Sequence, residues 1–224
     1  MSAAVHEVPA DARHSRLWEQ FDDPVQQREA ATLGMWVFLS TEILFFGVLF
    51  ASYTVCRTLY PQGFAQASRR TDMLLGSIET AVLLISSCLI ALAVRAIKLD
   101  RRAHATWLMV GTASLGVAFL TMHGFEYYKE YTEHLIPAID FAQTGPQAHA
   151  VELFFCLYYV ITGFHSLHVF IGVVILLTLA VRVARGAFGP QRYTTVELTA
   201  LYWHLVDIVW IFVYPIVYLV GRSA

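Results

Sequence analysis

LGMWVFLSTEILFFGVLFASYTVC, running from Leu33 to Cys56, contains one carboxyl group, Glu42, and no other charged side chain. A helix needs about 20 consecutive apolar residues to cross the hydrocarbon core of a bilayer, and this run is 24 residues long. Nothing in it alternates apolar with polar as a barrel strand would. It therefore predicts a membrane-spanning helix, because backbone in lipid must satisfy its own hydrogen bonds.

Four more runs of the same kind follow: Met73 to Val94, Ala105 to about Tyr128, Val151 to Val181 and Leu198 to Val220. The fold class expected is all-α, a polytopic membrane protein with five transmembrane helices over residues 32–224. The fourth run exceeds what a span requires and should tilt or protrude. Composition agrees. Of 224 residues, 57% are hydrophobic and 14% charged, with mean hydropathy +0.56; a soluble domain carries about 25% charged residues. A net charge of −2 gives no reason to expect a nucleic-acid partner.

Residues 1–31 mix acids, bases, Pro9 and Pro24, without the early apolar stretch of a signal peptide. They read as a polar cytoplasmic tail in which Leu17, Trp18 and Phe21 could rest on a surface. Cys56, Cys88 and Cys156 are far apart and form no CxxC pair, so neither a disulfide framework nor a thiolate metal site is expected.

Lys and Arg in the short loops set orientation. The N-terminal side has Arg13, Arg16, Arg28, Arg95, Lys98, Arg101, Arg102, Arg182, Arg185 and Arg192; the other has Arg57, Arg69, Arg70, Lys129 and Arg222. The expectation is a cytoplasmic N-terminus and an outer C-terminus. Trp36, Trp107, Tyr127, Tyr128 and Tyr218 fall near helix ends, where amphipathic rings suit the interface.

Ionisable groups inside spans are costly and usually face the bundle interior. This chain places Glu42 in the first helix, Glu79 in the second, His123 and Glu126 in the third, His165 and His168 in the fourth, and His204 and Asp207 in the fifth. At about 1.5 Å per residue, Glu42 and Asp207 lie roughly 4 and 3 Å to the cytoplasmic side of their helix centres. His165 and His168 straddle the centre of theirs, so three helices bring polar groups to one layer. His165 with His168, and His204 with Asp207, are i,i+3 pairs sharing a face. Gly163 and Gly172 would admit a close neighbour.

These residues allow more than one reading. His and carboxylate on facing helices can ligate a metal, and two histidines on different helices can hold a haem. The Glu-x-x-His pairs of a di-iron bundle are absent. Interhelical hydrogen bonding accounts for the same groups without a cofactor. Glu42 has no partner on its own helix and should be protonated or face a proton path.

Three motifs, LGMWVFLSTEILFFG (Leu33–Gly47), TGFHSLHVFIG (Thr162–Gly172) and WHLVDIVWIFVY (Trp203–Tyr214), supported by FEYYKEY (Phe125–Tyr131), occur in this order. Together they resemble subunit III of the haem–copper terminal oxidases, from about Leu33 to Val220. Ser166 stands where many members have Gly, and Leu205 where many have Phe. The chain lacks the first two helices of the long form, like quinol oxidases and some short bacterial members.

The resemblance implies a non-redox subunit of a proton-pumping oxidase that reduces oxygen to water. It implies no catalytic residue, metal or other cofactor in this chain, with haem and copper in the catalytic subunit I. It further implies contact with subunits I and II, bound phospholipid, and a multi-pass location in the cell (inner) membrane. Glu42 would modulate proton uptake. Glu79, His123, Glu126, His165, His168, His204 and Asp207 would serve packing or lipid contact. The alternatives are an accessory subunit of a nitric oxide reductase and a haem- or quinone-binding anchor. A small proton-coupled transporter would show repeats or broken helices, and neither is evident.

Overall fold

The computed structural model describes residues 24–137, 140–141, 144–190 and 192–219. Leu17, Trp18, Phe21 and Arg222 lie outside them. Helix α1 (Pro24–Leu59) is followed by short α2 (Pro61–Ser68), then α3 (Met73–Lys98) and α4 (Arg102–Thr132). A two-stranded antiparallel hairpin, β1 (Leu135–Ile136) and β2 (Asp140–Phe141), leads to α5 (Ala148–Ala184) and α6 (Thr194–Tyr214). A π-helical turn, Pro215–Leu219, closes the described chain. Five of these helices are long and apolar enough to cross a membrane, α1, α3, α4, α5 and α6 with its π turn. The chain is an all-α polytopic membrane protein.

The chain divides into two units at Thr41. Within the first, the described residues 24–41 are helical, so the helix extends before Leu33.

In the second unit, α3 packs on α4, α4 on α5, α5 on α6 and α6 back on α3. Trp203 shows how four helices meet. Its indole is fully buried, and its Nε1–H donates to Ser86 Oγ of α3 at 2.9 Å. A Cβ placed on Gly116 of α4 or Gly172 of α5 would come within 2.7 or 2.8 Å of that ring. Both glycines are therefore notches for the Trp203 plane. Gly172 fulfils the close approach expected of it. Gly163 does not: its nearest neighbour, the Tyr127 hydroxyl, would be 3.8 Å from an added Cβ.

The last helix changes character at Pro215, which has no N–H for the α ladder. The carbonyls freed in the π turn are taken by other elements. Tyr53 of α1 donates to Ile216 O at 3.1 Å, and Ser68 of α2 to Val217 O at 2.7 Å. The turn also places Tyr218 inside the bundle, fully buried. Along α1 from Glu42 onward, Ile43, Leu44, Val48 and Val55 remain 57–69% exposed. Such a row suits lipid or another membrane helix.

Candidate functional site

The polar residues gather in three places. The first is a pair. His168 Nε2 lies 3.0 Å from Glu42 Oε2, both groups being mostly buried. His168 Nδ1 is 2.7 Å from the backbone carbonyl of Phe164. A carbonyl oxygen only accepts, so Nδ1 carries a proton, an assignment made from that contact. A hydrogen bond between Nε2 and Oε2 then needs one more proton. It sits either on the acid, donating to a neutral ring, or on the ring, donating to a carboxylate. Both forms are neutral overall, and losing the proton would leave a net charge in an apolar wall, which is costly. That wall includes Phe46, whose ring centroid is 5.4 Å from His168. Tyr202 OH fixes the helix alongside by donating to His168 O at 3.0 Å. Glu42 lacks a partner on its own helix and finds one on α5.

The second place is a buried cluster about two turns in from the C-terminal end of α4. His123 Nδ1 is 3.5 Å from Glu126 Oε2 and 3.7 Å from Glu79 Oε1 of α3. All three residues are at most 3% exposed. Tyr218 OH donates to Glu126 Oε2 at 2.6 Å. Glu130 joins one turn on, beside Tyr158 and Tyr159, and Tyr127 OH pairs with Thr162 Oγ1 at 2.6 Å. Tyr127 and Tyr218, expected near helix ends at the interface, turn their hydroxyls to partners within the bundle. A buried carboxylate requires donors, and a phenol supplies one on an apolar ring. Trp36, Trp107 and Tyr128 are exposed.

The third is on the α3–α6 seam. Half-buried His204 places Nδ1 2.7 Å from Ser87 Oγ. Asp207, 3% exposed, lies beside the same serine. His165 belongs to none of these hydrogen-bonded sets. It is fully buried against Trp210 and Phe119, at centroid distances of 5.0 and 5.5 Å.

Among the described residues, His165, His168, His204 and Asp207 do not converge as a metal-ligand set. Positions i and i+3 on a helix are about 60° apart around its axis, and here that angle separates neighbours. His165 points to α4 and α6, while His168 points to α1. His204 points to α3. The set that converges is Glu79, His123 and Glu126; Glu130, one turn on, falls outside the sequence candidates because the third span is expected to end at Tyr128. The sequence signal was the i, i+3, i+7 spacing of His123, Glu126 and Glu130, which places them on one face.

The profile described as cytochrome c oxidase subunit III matches residues 20–222. The chain is 33% identical over 192 residues to cytochrome c oxidase subunit 3 of Thermostichus vulcanus, covering 85% of this chain and 87% of that one. It is 33% identical over 189 residues to cytochrome bo(3) ubiquinol oxidase subunit 3 of Pseudomonas aeruginosa, covering 84% of each. A probable quinol oxidase subunit 3 of Staphylococcus epidermidis is 28% identical over 203 residues, covering 89% of this chain and 94% of its own. With five spanning helices and matches over nearly its full length, the chain belongs to the subunit III family of the haem–copper terminal oxidases.

Proposed function

We propose that this chain is a non-redox subunit III that supports proton uptake by an oxygen-reducing, proton-pumping haem–copper oxidase of the cell membrane. The observation that carries this reading is the Glu42–His168 pair, whose Oε2 and Nε2 lie 3.0 Å apart. A pair that shares a proton at constant net charge can pass or buffer it without creating a charge in the bilayer. The exposed apolar row beside it on α1 fits the catalytic subunit or phospholipid acyl chains. Subunit I holds haem and copper, subunit II completes the assembly, and the reaction takes place there.

Glu42→Gln tests the reading. The glutamine amide can still donate to His168 Nε2, so the hydrogen bond and the shape persist while the titratable proton is lost. Assembly and oxygen reduction should stay largely intact, while protons pumped per electron fall or the pH profile of turnover changes. Glu42→Ala should also lower stability by about 1–3 kcal/mol, since His168 loses its partner. A hydrophobic carbodiimide, which attacks protonated carboxyls in apolar settings, should label Glu42 in preference to Glu79. Labelling elsewhere, together with a Gln variant that pumps like the parent at every pH, would overturn the proton role.

A further inference from the structure

We infer that Glu79, His123 and Glu126 form a binding site for one divalent first-row cation, with zinc the best match to their chemistry. The site lies in the second cluster and does not depend on the role of the Glu42–His168 pair.

Charge is the first argument. Two carboxyl groups and an imidazole each place an atom within 4.8 Å of the other two, in a pocket where each residue is at most 3% exposed. Two carboxylates this close in a low-dielectric interior need compensating positive charge. No Lys or Arg forms an ion pair with them among the described residues. A divalent cation neutralises both while leaving the imidazole neutral, as a ligand must be.

Distance is the second. His123 Nδ1 stands 3.5 and 3.7 Å from the two carboxylate oxygens. These separations exceed a good N–H···O hydrogen bond, which falls at about 2.7–3.2 Å. They are close to the edge of a tetrahedron around zinc, about 3.4 Å when the bonds are near 2.1 Å. Both oxygens of Glu79, both ring nitrogens of His123 and Oε1 of Glu126 lack a hydrogen-bond partner among the described residues. Beyond their contacts with one another, these buried atoms have no hydrogen bond of good geometry among the described residues.

Donor type and support are the third. One imidazole nitrogen and two carboxylate oxygens suit zinc among the cations that such mixed sites take. Tyr218 OH donates to Glu126 Oε2 at 2.6 Å, the kind of outer hydrogen bond that orients a ligating carboxylate. Three protein ligands from two helices leave a fourth position for water. The ion would tie α4 to α3 near one end of the bundle, and Tyr218 would link it to the π turn.

The cluster is closed, so an ion would enter as the chain folds. The full chain is therefore expressed with zinc chloride in the medium, purified in mild detergent, washed with a chelator and assayed by mass spectrometry for metal. About one zinc per chain is expected. Glu79→Gln and His123→Gln should lose at least nine-tenths of it while keeping helicity and elution volume, and Asp207→Asn should keep it. X-ray absorption on the parent should show nitrogen and oxygen neighbours at about 2.0–2.1 Å and no sulfur. A well-folded parent chain without zinc, zinc content indifferent to Glu79 and His123, or sulfur ligation would each overturn the site. These outcomes are independent of proton pumping.

Discussion

Asp207 is a carboxyl group 3% exposed on an inner helix face, with no hydrogen-bond partner for either oxygen among the described residues. A buried charge without a partner costs several kcal/mol, so this position favours a neutral side chain. Asn has the same shape and no charge. Asp207→Asn should therefore leave the assembled oxidase intact, with oxygen turnover within about threefold of the parent, well under the roughly 1.4 kcal/mol that a tenfold change represents. Abolished turnover in a fully assembled complex would place Asp207 on a proton or electron route instead. Neighbouring His204 has Ser87 as a partner, and Glu42 has His168. Three groups that look equivalent in sequence thus differ in kind: one buried beside a serine hydroxyl, one in contact with that hydroxyl, one facing a histidine on another helix.

At the scale of elements, the Trp203 notch is the most exacting contact. Gly116 and Gly172 lie on different helices, yet both leave space for the same indole. Adding a methyl group there forces the indole or its neighbours to shift, although Ser86 holds the ring through its Nε1–H. Overpacking a close-packed site costs about 1–3 kcal/mol. Gly172→Ala should lower the thermal midpoint of the detergent-solubilised chain by several degrees, and Gly116→Ala similarly. Gly163→Ala, with only the Tyr127 hydroxyl at 3.8 Å, should change it little. Equal effects at Gly163 and Gly172 would contradict the notch. The π turn is a second such device. Pro215 ends the α ladder, and Tyr53 and Ser68 accommodate the carbonyls left over.

For the whole molecule, the exposed apolar row on α1 and the family membership bear on assembly. The proposed role requires a partner that holds the redox centres. Tagged chain purified from its native membrane in mild detergent should bring down a second, larger membrane chain with haem absorbance in the visible range. The tagged chain alone, separated by stronger detergent, should show no haem band. A haem band that stays with the isolated chain and disappears on mutating His165 or His204 would favour the anchor reading over the one proposed.

Sequence alone determined the five spans, their helical state and the family, because apolar length and short ordered motifs are local properties that survive without tertiary context. It also singled out Glu42, since a carboxyl in a Leu- and Phe-rich run is conspicuous in one dimension. Which groups meet was decided only by tertiary structure. His165 and His168 are three residues apart but face different helices, while Glu42 and His168 are 126 positions apart and meet at 3.0 Å. Glu79 faces His123 only because α3 and α4 pack antiparallel in one register. Tyr218 reaches Glu126 because a π turn shifts its phase after Pro215. Helix rotation, interhelical register and turn phase are set by packing across the bundle, and no local pattern encodes them.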